Sequence, residues 1–182
     1  RSEMCIRDRD ENNHFIISPT YEDPPLPAAD ENIDEPPRML KSGDVLRLVH
    51  QQLQTNLRSE AIPAPITKEA HEVGCRASEK GADSSEYWIV EVLRDVHLGP
   101  GRPGMPIRTL SSTLRLRHKE LGCYLRSGSA VLPDWGWKQM EVTCDPRNNP
   151  KDIGTHWNVE SHWNDRLPNV ETRQRTRCLL YT

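Results

Sequence analysis

One phrase occurs twice in this chain. "GDVLRLVHQQLQTNLRS" ends at Ser59, and "STLRLRHKELGCYLRS" ends at Ser127. His118 lies 68 residues after His50, Leu116 lies 68 after Leu48, and Leu125-Arg126-Ser127 lies 68 after Leu57-Arg58-Ser59. Past a one-residue slip, Glu141-Val142 and Cys144 follow Glu72-Val73 and Cys75 by 69. Trp157-x-Val159-Glu160 follows Trp88-x-Val90-Glu91 by the same 69. Four blocks in one order at one spacing define a structural repeat, and a unit this small cannot bury its apolar face alone. The copies must therefore cover one another.

Within each copy the apolar period is two. Leu46, Leu48 and His50 alternate with Arg47 and Val49, and Leu114, Leu116 and His118 alternate with Arg115 and Arg117. Strand side chains alternate between faces, so the leucines are expected inward and the arginines outward. Trp88, Val90 and Val92 share a face, as do Trp157 and Val159, with Glu91 and Glu160 opposite. Each copy reads as four short strands, at 44–50, 55–59, 71–76 and 86–92, then at 112–118, 122–127, 138–144 and 155–161. In "NNHFIIS", Phe15-x-Ile17 stands 73 residues before Trp88-x-Val90, as the last strand of an earlier copy. Four-stranded units in threes predict an all-β chain, a β-trefoil with an incomplete first repeat.

The expected division is the end of a first repeat at 10–18, a Pro-rich extended connector at 19–38, a second repeat at 39–94 and a third at 107–165. "RDVHLGPGRPGMP" (94–106) links the last two. The extremes, "RSEMCIRDR" (1–9) and the end of the tail 169–182, resemble translated sequencing-adapter read-through and are left out of the expected fold.

Charge and motifs exclude several functions. The net charge is −3 with Lys and Arg dispersed, which leaves no footprint for nucleic acid or anionic lipid. "YWIVEVL" is broken at Glu91, and no apolar run approaches the roughly 18–20 residues needed to cross a bilayer. "GPGRPG" lacks the Gly-Lys-Ser/Thr ending of a phosphate loop. His156 and His162, six apart, fit no compact metal spacing, so no metal is expected. No nucleophile–base arrangement stands out, and Asp34-Glu35 lies in the connector, so no catalytic centre is expected.

Two pairs of residues carry open readings. His50 and His118 hold matching inward positions at a strand end, either aimed at a ligand or satisfied by backbone within the core. Trp135 and Trp137 straddle Gly136 in "LPDWGWKQ" and have no counterpart in the earlier copy. They read either as a packed turn or as a glycan or peptide contact surface.

The blocks "LRLVH…LRS…EV", "LRLRH…LRS…EVTC", "LPDWGWKQMEVTC" and "HWNVESHWNDRLP" resemble the MIR repeats of protein O-mannosyltransferases over roughly residues 10–168. The last two blocks resemble the enzyme family in particular. The bare skeleton is shared with soluble endoplasmic-reticulum proteins similar to stromal-cell-derived factor 2 and with intracellular calcium-release channels, which stand as alternatives. The resemblance implies a lumenal β-trefoil between transmembrane helices of an endoplasmic-reticulum enzyme. That parent would move mannose from dolichyl phosphate mannose to Ser or Thr of acceptor proteins. Its acidic catalytic pair and its membrane segments would lie outside this chain, and a second mannosyltransferase subunit is the implied dimer partner. This segment would contact acceptor or partner and would hold no cofactor itself.

MIR repeats often read Leu-His-Ser-His at the second strand. Here the matching stretches are Leu57-Arg58-Ser59-Glu60 and Leu125-Arg126-Ser127-Gly128. A lumenal setting also permits disulfides. Cys123 and Cys144 point inward from consecutive strands and are expected either to bridge or to remain buried thiols. Thr55 holds the place matching Cys123, so Cys75 has no equivalent partner.

Overall fold

Alternating burial along the first strand of each repeat organises the fold. Leu46, Leu48 and His50 are buried, as are Leu114, Leu116 and His118, while Val45, Arg47 and Val49 are half-buried. The computed structural model describes residues 15–19, 39–50, 53–77, 83–161 and 178–181. The segment 1–9, nearly all of the connector 19–38, the tail from 169 to 177 and His162 lie outside them.

Eleven strands follow in chain order: β1 (Phe15–Pro19), β2 (Val45–His50), β3 (Asn56–Pro63), β4 (His71–Arg76), β5 (Trp88–Asp95), β6 (Gly99–Pro100), β7 (Ser112–His118), β8 (Tyr124–Val131), β9 (Met140–Asp145), β10 (Trp157–Ser161) and β11 (Cys178–Tyr181). The fourth strand of one repeat pairs with the first strand of the next, β1 with β2 and β5 with β7. Within a repeat, the first strand pairs with the fourth, β2 with β5 and β7 with β10. These strands form a barrel-like wall. The second and third strands form the hairpins β3–β4 and β8–β9, which join through β4 and β9. The architecture is all-β and matches a β-trefoil built from two complete units and the last strand of a third.

The core is continuous across the copies. It includes Phe15, Leu46, Leu48, Leu57, Trp88, Val90, Leu114, Leu116, Leu125, Trp157 and Val159. Trp88 and Trp157 are buried, and each indole N–H donates 3.0 Å to a backbone carbonyl of its own repeat, Leu57 O and Leu125 O. A buried tryptophan needs such an acceptor, and the repeat supplies it in both copies.

Three regions differ from the sequence-based expectation. The segment 94–106 is not a loose linker. Met105 is 2% exposed in the core, and the Ser42 and Ile107 N–H groups donate to Met105 O and Leu40 O. Residues 178–181, in the tail left out of the expected fold, form β11, which pairs with β10 from Asn158↔Tyr181 to Ser161↔Cys178. Arg115 lies opposite the leucines, as its alternation requires, yet it is 2% exposed. Its guanidinium carbon sits 3.5 Å from the centre of the Tyr124 ring, and its Nη1 reaches Asn148. Strand alternation fixes the side of the sheet and says nothing of what lies over it.

Candidate contact surface

His50 and His118 end β2 and β7, where the chain turns into the second strand of each repeat. The Leu53 N–H donates 3.1 Å to His50 Nδ1, and the Leu121 N–H donates 3.1 Å to His118 Nδ1. Backbone bonds repeat around them: Gln54 N to His50 O and Gly122 N to His118 O, with Gln54 and Gly122 both at positive φ. Each ring also packs edge-on against the aromatic residue opening the preceding fourth strand, Phe15 on His50 at 5.3 Å and Trp88 on His118 at 5.0 Å. The structure thus places both histidines as turn caps inside the core. In each, Nδ1 accepts a backbone hydrogen bond and does not face solvent.

His118 Nδ1 is an acceptor, so the ring proton sits on Nε2, which donates 2.8 Å to Ser85 O. Burial holds the imidazole below the ordinary histidine value, against the pull of the Ser85 carbonyl and Glu120. Above that ordinary value, about 6.5, His118 is neutral in both the folded and the unfolded chain, and its stabilising effect is complete. As pH falls through this value the unfolded chain takes up a proton that the folded chain refuses, and stability is lost. The expected result is a urea midpoint that drops between pH 7.5 and 5.5, with a smaller drop in His118→Asn. An unchanged slope in the variant would assign the effect to other histidines.

Trp135 and Trp137 lie at the tip of the β8–β9 hairpin, 58% and 67% exposed. Buried Leu132 and Gly136 anchor the loop: Leu132 N donates to Gln139 O and Gly136 N to Pro133 O, each at 2.8 Å. Trp137 and Lys138 have φ of 53° and 55°. Left-handed backbone costs an ordinary residue roughly 1–2 kcal/mol, so the hairpin holds strain where it displays the indoles. Val131 and Met140, Cα partners at the base of the loop, are 55% and 56% exposed. Asp134 and Lys138, on the same loop, pair at 3.6 Å.

The hairpin that carries this loop is tied down twice. Cys123 and Cys144 are joined by a disulfide, with Cα atoms 5.2 Å apart. Cys75 is disulfide-bonded as well. Glu141 reaches from β9 into the second repeat, where the Ile66 N–H, the Thr67 N–H and the Thr67 hydroxyl donate to its carboxylate at 2.7, 3.0 and 2.7 Å. Sequence reasoning passed over Glu141. Its signal is an acidic residue followed by three uncharged ones within the strand, at the position matching Glu72.

Comparison with known proteins decides what these repeats are. The family model for the MIR domain matches residues 100–159. The chain is 38% identical over 136 residues to protein O-mannosyl-transferase 2 of Danio rerio, covering 74% of this chain and 17% of that protein. Residues 100–159 of this chain are a MIR domain. A second relative, dolichyl-phosphate-mannose–protein mannosyltransferase 3 of Saccharomyces cerevisiae, is 36% identical over 132 residues, covering 72% of this chain and 17% of that one. The chain therefore spans about a sixth of the length of these curated relatives. Among solved structures, the S. cerevisiae protein O-mannosyltransferase Pmt1-Pmt2 complex bound to the sugar donor matches with a TM-score of 0.64 and 28% identity, over 96% of this chain and 22% of that one. The SDF2-like protein from Arabidopsis thaliana shares the fold, with a TM-score of 0.60 and 21% identity over 82% of this chain and 70% of that one.

The two arginines at the second strands of the two repeats are held by acids. Arg126 Nε donates 2.9 Å to Asp152, with Asp145 3.8 Å away, and Arg58 pairs with Glu60. The Arg126 hydrogen bond holds the Asp152 carboxyl below its ordinary value, and Arg147, followed by Arg126, does the same for Asp145. Among the described residues, no group of three His, Cys, Asp or Glu side chains is placed to hold a metal, and no helix is long and apolar enough to cross a membrane.

Proposed function

We propose that this chain is the MIR segment of a protein O-mannosyltransferase, set in the lumen of the endoplasmic reticulum. The parent transfers mannose from dolichyl phosphate mannose to Ser or Thr of acceptor proteins, and works as a dimer with a second mannosyltransferase subunit. This segment contacts acceptor or partner polypeptides through the Trp135–Trp137 loop, while the chemistry takes place outside it. The observation that carries the reading is the pair of exposed indoles on a braced hairpin, in a chain whose relatives are named mannosyltransferases. Rigid aromatic rings give large contact area at little entropy cost, which suits recognition of extended or glycosylated chain. The disulfides support an oxidising compartment. Likeness to the complex named above supports a heteromeric partner.

The test replaces Trp135 and Trp137 with alanine together in the intact enzyme. Lost contacts that act equally on bound substrate and transition state raise KM and leave kcat nearly unchanged. The KM for a whole-protein acceptor is expected to rise about tenfold, as for loss of a hot-spot aromatic, and the KM for a short peptide much less. Equal loss on both acceptors, in step with lower enzyme abundance, would mean that the tryptophans serve the fold and recognise nothing.

A further inference from the structure

Arg115 occupies the middle of β7 in an unusual electrostatic position. Its Nη1 donates 2.8 Å to Asn148 Oδ1, a neutral acceptor, and its plane lies over the Tyr124 ring. Its Nε and Nη2 are buried and have no hydrogen-bond partner. No carboxylate among the described residues pairs with it. Glu91, its Cα partner on β5, bonds Arg117 at 2.7 Å, and Asp145 bonds Arg147 at 2.6 Å. An arginine side chain keeps its charge throughout the physiological range, and a buried charge is costly unless an opposite charge meets it.

The two unused donors are a matched pair. Nε–H and Nη2–H lie along one edge of the guanidinium plane and point the same way, which is the fork that takes both oxygens of a carboxylate. Asn148, on the exposed stretch 146–150, holds the opposite terminal nitrogen, Nη1, and leaves this edge unbonded. Burial first, then Glu91, pushes the Tyr124 phenol above its ordinary value, so the floor beneath the guanidinium carries no charge. Arg47, the matching residue of the preceding repeat, also has a buried, unbonded Nε, but Asn56 stands where Tyr124 stands here, so that copy lacks the aromatic floor.

We infer that the Nε–Nη2 edge of Arg115 is a binding site for one carboxylate group, floored by Tyr124, with Asn148 holding the opposite terminal nitrogen. A single negative charge balances Arg115. A dianion would set its second charge against Glu91 across the strand pair. The carboxylate can come from an acidic side chain of a polypeptide or from a small organic acid.

The experiment follows the Arg115 Nε–H signal of the full chain by nuclear magnetic resonance. Sodium acetate, a blocked Ala-Glu-Ala peptide and inorganic phosphate are titrated separately, with sodium chloride holding ionic strength constant. Acetate is expected to give a saturable shift that chloride does not reproduce. The peptide saturating as well assigns the site to polypeptide; acetate alone assigns it to small acids. Asn148→Ala, which removes the hydrogen bond that fixes the guanidinium through Nη1, should bind acetate more weakly. Arg115→Lys, followed through the Tyr124 ring signals, should bind about tenfold more weakly, as for loss of a charge-assisted hydrogen bond. A strictly linear response to acetate, or phosphate binding more tightly than acetate, overturns the inference. Should Arg115→Lys fail to fold, the wild-type and Asn148→Ala titrations still decide it.

Discussion

Gly101→Ala is expected to destabilise the fold by at least about 3 kcal/mol, in the range seen when a core cannot relax around added atoms. A Cβ at this position would lie 1.7 Å from the Val92 carbonyl oxygen and 2.5 Å from its carbon. Both are backbone atoms of β5 and cannot rotate away. Retreat of the 99–101 segment would break the bond from Gly101 N to Leu93 O at 2.8 Å and the pairing of β6 with Arg94 and Asp95. It would also draw on Met105, which plugs the core four residues later. Gly104→Ala is the control, because Gly104 has φ of +74° and nothing within 4 Å of its would-be Cβ. There the cost is conformational alone, about 1 kcal/mol. Urea unfolding of the two variants beside the parent chain checks this, and equal midpoints for both would rule out the close approach at Gly101.

Glu141→Ala is expected to cost a further large amount, about 3 kcal/mol, from three lost bonds to a charged group and two part-buried N–H groups that lose their acceptor. The carboxylate is 1% exposed and is the link between the β8–β9 hairpin and the 65–67 loop. Glu141→Gln keeps the shape but turns an amide NH2 toward backbone donors, so about 1–3 kcal/mol of the loss should remain. Thr67→Val removes one donor and should cost about 1 kcal/mol. Measured together, Glu141→Ala and Thr67→Val should cost less than the sum of their separate effects. Strict additivity would show that the two side chains do not act on each other.

Much of this was legible before any coordinates, because the repeat tests itself. A leucine that alternates with arginine once is weak evidence, whereas one that does so again 68 residues later is strong. Leu46, Leu48, Leu114, Leu116, Trp88 and Trp157 were placed in the core on that ground. The role of the histidines was half legible. Their inward face followed from alternation, but the cap on the next turn depends on the ring reaching an N–H three residues on, which spacing alone does not reveal. Gly101 and Glu141 were hidden for a different reason. Each acts on backbone that is distant in sequence or on the far side of a strand, and nothing in "GPGRPG" separates a glycine that meets a carbonyl from one that faces open space. Arg115 misled because its exposure is set by Tyr124 and Asn148, on two other segments.

The pairing of β5 with β7 runs from Trp88↔His118 to Asp95↔Ser112 and joins the second repeat to the third. β2 and β5, within one repeat, share only Val45↔Ile89 and Leu46↔Trp88. Cooperativity should therefore ignore the repeat boundary: amide exchange would be slowest in β5 and β7 together, and a protease cut within 96–111 would leave them associated. Copying the repeat as a block carries only half of each such ladder. A lone copy would hold one strand seeking its neighbour, which gives the repeat a physical reason to occur in series.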